Sequence, residues 1–174
     1  NTLLPTLPIA ALFGGLCAGV LGSLIFFARM GPLQATILSY TFTLLLWSVT
    51  QSLNFTVGAA VVGGDNGMSG IPGMVIGFGP DAQALAPNGV FAVCVIVAAL
   101  AYFATLALMR STFGRVVDCI RLDIQKTELL GYDVRRVQVA NMAWAGAVAG
   151  LAGGLFALWA NYLNPSLFSV QEAL

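Results

Sequence analysis

Residues 110–136 read RSTFGRVVDCIRLDIQKTELLGYDVRR, and this charged stretch decides the fold. It holds Arg110, Arg115, Arg121, Lys126, Arg135 and Arg136, six of the seven basic residues of the chain. The acids Asp118, Asp123, Glu128 and Asp133 are interleaved with them. On either side the charges stop: 82–109 and 137–171 carry none. Further upstream, 1–28 and 30–64 are also uncharged and are separated by Arg29 alone. A bilayer-spanning helix needs about 20 apolar residues, so each of the four runs can hold one. A charge at mid-bilayer costs about 2.5–3.5 kcal/mol on insertion scales, which explains why charges sit only at the edges of the runs. The expected spans are about 7–28, 33–58, 88–109 and 137–160.

The composition agrees. Of 174 residues, 8% are charged and 59% apolar, against roughly 25% charged in an ordinary soluble domain. So few charges cannot cover a water-facing surface, which excludes a soluble globule, a nucleic-acid binder and a disordered tail. The chain has no His, which removes a Ser-His-Asp triad, His-ligated zinc and an imidazole relay. No phosphate-binding Gly-x-x-x-x-Gly-Lys-Ser/Thr loop occurs. Cys17, Cys94 and Cys119 are scattered and read as small hydrophobes. No catalytic group, metal site or cofactor is expected. The fold expectation is an all-α polytopic membrane protein of about four helices. Residues 1–174 are expected to form one incomplete transmembrane domain, with an outer loop at 63–87 and a cytoplasmic loop at 110–136. Asn1 in place of Met, and a stop at Leu174 where a new apolar segment would begin, are expected of a piece of a longer chain.

Basic residues favour the cytoplasmic side. The 110–136 loop is therefore expected inside, Arg29 lies two spans earlier on the same side, and the 63–87 loop has no Lys or Arg. The N-terminus of this piece and Leu174 are then outside. Gly15 and Gly19 in the first span, and Gly146, Gly150 and Gly154 in the last, form small-residue faces for close helix packing, within the chain or between subunits.

Within the charged loop, Val116, Val117, Ile120, Ile124 and Leu130 follow a helical stripe, and Gly131 suits a helix-closing turn. One short amphipathic helix is expected, with Asp118–Arg121 and Asp123–Lys126 as surface pairs. It lies on headgroups, or is a solvated connector, or docks a cytoplasmic partner. The mixed charge favours docking over lipid binding, which prefers mostly Lys and Arg. On the second span, Thr36, Tyr40, Thr43, Trp47, Thr50, Gln51 and Asn54 share one helical face. Such a stripe is expected to pack against protein through hydrogen bonds or to line a water-filled path, with Asn141 and Asn161 as weaker additions. No charged residue lies mid-span, which argues against a carboxylate proton relay. Gly64, Asn66, Gly67, Gly70 and Pro72 read as successive turns.

Several segments resemble one family. Gly63-Gly64-Asp65-Asn66-Gly67-Met68-Ser69-Gly70-Ile71-Pro72 is similar to the Gly-Gly-x-Asn-Gly-[Leu/Met/Ile]-[Ser/Thr]-Gly-Ile-Pro signature of the branched-chain amino acid transport permeases, whose relatives carry urea and short amides. Ser111-Thr112-Phe113-Gly114-Arg115 resembles that family's Ser-x-Phe-Gly-Arg. Ile120-Arg121 with Glu128-x-Leu130-Gly131 resembles its loop, and 149–155 its Ala-Gly-Leu-Ala-Gly-x-Leu helix. Asn164-Pro165-Ser166 with Phe168 resembles the outer segment beyond that helix. Order and spacing agree over roughly 29–170.

The resemblance implies the membrane subunit of an ABC importer in a bacterial inner membrane. Its partners would be a second homologous permease, two cytoplasmic ATPases and a periplasmic substrate-binding protein. It implies an ATPase-coupling helix at 115–131 with Arg115, Ile120, Arg121, Asp123, Glu128 and Gly131, while Asp65 and Asn66 would contact the binding protein. Leu122 and Ile124 stand where the family often has acids, which implies a more apolar grip on the ATPase. A urea or short-amide permease, and a channel or carrier not driven by ATP, are the alternatives.

Overall fold

The computed structural model describes residues 3–52, 54–57, 60–63, 68–69, 75–76, 83–84 and 87–160. The uncharged runs fold as long helices: α1 (Leu3–Phe27), α2 (Pro32–Ser52), α3 (Pro87–Arg110) and α6 (Val134–Ala160). Each contains a stretch long and apolar enough to cross a membrane, namely Pro5–Phe27, Pro32–Ser52, Asn88–Arg110 and Val134–Ala160. The chain is a multi-pass membrane protein. Its helices expose large side chains along their length, including Leu12, Phe13 and Leu16 on α1 and Phe91, Leu100 and Phe103 on α3. In a bilayer such side chains meet lipid or further helices at no hydrophobic cost.

Glycine sets the tightest packing. α1 and α6 run antiparallel, with Ala10 beside Gly150 and Gly154, Gly14 beside Gly146 and Gly150, and Gly22 beside Met142. A Cβ on Gly146 would collide with Ala18 Cβ and sit 2.6 Å from the Gly14 carbonyl oxygen. A Cβ on Gly14 would sit 2.9 Å from Gly150 Cα. The small-residue faces expected from sequence therefore pack against each other within the chain. Of the α1 glycines, Gly14 is the most tightly packed, one residue before the Gly15–Gly19 pair.

The third long helix joins this pair at two places. At one end, Leu158 is buried among Leu7, Val90, Val93, Cys94 and Leu155. Further along, the Trp144 indole N–H donates to Thr105 Oγ1 at 3.1 Å, and the Thr105 hydroxyl donates to the Ala101 carbonyl at 2.8 Å. Apolar clefts of about 380 and 370 Å³ flank this α3–α6 seam. By contrast, no residue of α2 is buried.

One expectation changes after α2. The second span was expected to run to about 58, but the helix stops at Ser52 and a strand begins at Asn54. Strands β1 (Asn54–Val57), β2 (Ala60–Gly63) and β3 (Met68–Ser69) form an antiparallel sheet in that order, with Asn54 opposite Gly63 and Val61 opposite Ser69. β4 (Val75–Ile76) pairs with β5 (Gln83–Ala84). The sequence carries the cause: Phe55-Thr56-Val57 and Val61-Val62 are strand formers flanking Gly58, which helices disfavour. Gly64, Asn66, Gly67, Gly70 and Pro72, read from sequence as turns, lie outside the described residues.

The charged loop also differs from expectation. It forms two helices, α4 (Thr112–Leu122) and α5 (Ile124–Leu129), broken at Asp123. Val116 and Ile120 of α4 are buried with Val134 of α6, and Val137 packs against them. Between α3 and α4 the chain turns so sharply that a Cβ on Gly114 would overlap the backbone of Met109.

Candidate functional site

The break at Asp123 is built by that residue. Its backbone is extended (φ −159°, ψ 109°), so α4 cannot continue through it. Its carboxylate accepts from the backbone N–H of Gln125 at 3.0 Å and of Lys126 at 3.1 Å, an N-cap for α5. Its carbonyl accepts from the Thr127 hydroxyl at 2.8 Å, and Thr127 is 1% exposed. Lys126 Nζ lies 3.4 Å from the second carboxylate oxygen. Gly131, at φ +88°, comes after α5 in the left-handed region, and its N–H donates to the Glu128 carbonyl at 2.9 Å. Asp133 then accepts from the Arg136 backbone N–H at 3.3 Å and pairs with its guanidinium at 2.8 Å, starting α6.

This local bonding leaves an apolar tip. Leu122 is 86% exposed and Leu129 87%, with Leu130 and Tyr132 also exposed. Val116 and Ile120, buried against Val134, anchor α4 to α6. The coupling residues expected from sequence therefore divide. Arg115 and Arg121 lie exposed on α4, and the Arg115 guanidinium donates to Thr112 Oγ1 at 3.2 Å. Ile120 faces inward and is a support. Asp123 and Gly131 shape the backbone. Glu128 turns toward a cavity with Arg29 and Arg135. Of the two expected surface pairs, Asp123–Lys126 forms and Asp118–Arg121 does not.

The hydrophobic stripe expected of one continuous helix is likewise cut. Val116 and Ile120 are buried, whereas Ile124 and Leu130 are exposed because the break at Asp123 turns α5 onto a new axis. Leu129 and Tyr132 were not singled out from sequence. The available signal was Asp123 itself, a strong N-cap residue just before Ile-Gln-Lys-Thr.

On α2, Thr36, Tyr40 and Thr43 are exposed, while Trp47, Thr50 and Gln51 are half-buried. Hydroxyls along this helix donate to their own backbone four residues back: Thr36 to Pro32 at 2.9 Å, Thr43 to Ser39 at 3.0 Å, Thr50 to Leu46 at 2.8 Å. Each hydroxyl thus meets its donor need inside the helix, and needs neither a partner helix nor water to do so. Trp47 differs: its indole N–H is buried and has no hydrogen-bond partner among the described residues. An unmet buried donor costs about 1–3 kcal/mol. Asn54 opens β1 and so leaves the helical face. Asn141 is half-buried on α6. Asp65, Asn66 and Asn161 lie outside the described residues.

At the charged end, Arg29 and Arg135 line one cavity. The end of α1 and the start of α6 therefore meet there, and Arg29 is at the same end of the bundle as the charged loop.

The chain is similar to a high-affinity branched-chain amino acid transport system permease protein of Escherichia coli (strain K12), called LivM. Identity is 26% over 134 residues, covering 65% of this chain and 31% of the relative. The chain thus spans about a third of that protein's length. No solved structure matches it. A profile of the branched-chain amino acid transport system permease component matches residues 1–174, so the chain belongs to that family of membrane permeases.

Proposed function

We propose that the chain is a membrane-spanning subunit of an ATP-driven ABC importer for branched-chain amino acids or similarly small polar solutes, working by alternating access. A second permease, two cytoplasmic ATPases and a periplasmic binding protein complete the machine. The similarity to a branched-chain amino acid permease supports the cargo class. The charged end faces the cytoplasm of a bacterial inner membrane, as the clustering of Lys and Arg favours.

The observation that carries the mechanism is the apolar tip formed by Leu122, Leu129, Leu130 and Tyr132 on a hydrogen-bonded platform. Exposed leucines at the water-facing end of a membrane protein suit a protein cleft. α4 is tied to α6 through Val116, Ile120 and Val134. It is tied to α3 through the tight turn at Gly114. A push on the tip would therefore reach both spans. Arg115 and Arg121 add charge contacts beside it, and Asp65 and Asn66 are assigned to the binding protein. The polar face of α2, with Thr36, Tyr40, Thr43, Thr50 and Gln51, is the side of the solute path, joined by Asn141.

The test uses the complete complex in proteoliposomes. Uptake is expected with ATP and not with a non-hydrolysable analogue. Leu129→Glu should place a charge in the apolar contact. The variant is expected to insert and assemble normally while binding-protein-stimulated ATP hydrolysis and uptake fall together by about tenfold, the effect of roughly 1.4 kcal/mol at the contact. Equal uptake with the analogue, or normal coupling in Leu129→Glu, would overturn the reading.

A further inference from the structure

A cavity of about 380 Å³ lies at the charged end, between the last turn of α1, one side of α5 and the first turn of α6. It has two characters. Ile25 and Phe26 give it an apolar wall, and Arg29, Glu128, Arg135 and Gln138 give it a polar one. Its volume far exceeds the ~10–15 Å³ that a single water requires. The apolar wall adjoins the exposed flank of α1, where Leu24 and Phe27 stand out from the bundle. Arg29 lies two positions beyond the final residue of α1, at the edge of the apolar span Pro5–Phe27.

The charges in this cavity are unspent. The other cations of the α5–α6 region are engaged, Lys126 with Asp123 and Arg136 with Asp133. Among the described residues, Arg29 and Arg135 form no ion pair. Arg29 also holds φ +51°, a left-handed backbone that costs about 1–2 kcal/mol outside glycine. There the Met30 N–H closes the helix on the Ile25 carbonyl at 3.1 Å. The turn that carries Arg29 into the cavity is therefore a specific one.

We propose that this cavity holds the headgroup of an amine-bearing glycerophospholipid from the adjacent leaflet. Arg29 and Arg135 donate to its phosphodiester, Glu128 accepts from its ammonium, and an acyl chain runs along Ile25 and Phe26 onto the α1 flank. Guanidinium matches phosphate oxygens in shape and charge, and basic pockets beside membrane helices suit lipid headgroups. Glu128 sets the headgroup: it opposes a purely anionic one and pairs with an amine. A free phosphate would leave the apolar wall unused. The site requires only that α1 and α6 span the bilayer, and it stands whether or not the chain is an importer.

The decisive experiment places the complete permease complex in nanodiscs of phosphatidylethanolamine and phosphatidylglycerol in equal parts. A photoactivatable phosphatidylethanolamine, reactive beside its headgroup, is the probe. In the unaltered protein the label is expected in peptides covering 25–30 and 124–138. Combined Arg29→Gln and Arg135→Gln should lower it at least about tenfold, as loss of charge-assisted contacts would. Lys126→Gln should not lower it. Glu128→Gln should keep lipid bound and shift preference toward phosphatidylglycerol. Label confined to other segments of the unaltered protein overturns the proposal, without any variant having to fold. So does competition by excess inorganic phosphate, which would make the occupant a soluble anion. Cross-linking of Gln138→Cys to an ATPase chain would also overturn it, because a protein loop would then fill the cavity.

Discussion

A single carboxylate decides where the charged loop bends. Asp123 ends α4 by its extended backbone and starts α5 by capping two N–H groups. Replacing an N-cap with Ala costs about 0.5–2 kcal/mol, whereas Asn caps nearly as well as Asp. Asp123→Ala is therefore expected to speed hydrogen exchange at the Gln125 and Lys126 amides several-fold, since about 1 kcal/mol of lost protection is roughly a factor of five. Asp123→Asn should stay close to the parent at those amides, although it loses the Lys126 contact. That contact is exposed and contributes at most about 1 kcal/mol. Equal exchange in both variants would show that the break is imposed by α4 and α6, not by the cap. Gly131 acts at the other end of α5, where φ +88° admits no other residue without strain.

Among the elements, the α1–α6 pair is the rigid unit. Gly14, Gly146 and Gly150 allow the two backbones to touch, and in lipid such packing is the main source of association. Gly146→Leu is expected to destabilise the solubilised protein by about 1–3 kcal/mol, the usual cost of overpacking. Gly153, on the same helix with open space around it, is the control. Gly153→Leu should change stability by less than about 0.5 kcal/mol. A thermal-shift assay on both variants checks the difference, and similar losses would refute the assignment of the contact face. All four spans were legible in the sequence, because the charge pattern of a membrane helix is set by a solvent that tolerates no charge. The α1–α6 contact was half legible. Gly-x-x-x-Gly spacing marks a face, but Gly14 and Gly15 differ by one position and only the packed partner chooses between them. The Asp123 break was obscured, since Val116, Ile120 and Ile124 keep helical spacing straight across it. The Trp144–Thr105 bond was hidden altogether, joining residues 39 positions apart. The polar face of α2 was seen, but not its wiring: the hydroxyls that suggested a path are bonded to their own helix.

For the molecule as a whole, charge placement makes a claim about direction. Arg29 and Arg135 share a cavity, so the end of α1 and the start of α6 lie together at the charged end. Turning the molecule over would place that cluster on the outer side, against the bias of Lys and Arg toward cytoplasmic loops. Cys119 reports on this directly. It is exposed on α4, at the charged end, while Cys17 and Cys94 lie within spans. With Cys17 and Cys94 replaced by Ala, a membrane-impermeant maleimide is expected to leave Cys119 unmodified in intact spheroplasts. Permeabilisation should then expose it to the reagent. A protein docked at the neighbouring tip would shield the thiol, so the same labelling is repeated with the chain expressed alone. Modification of Cys119 in intact spheroplasts would invert the topology. The apolar tip would then lie on the side without ATP, out of reach of the proposed ATPase.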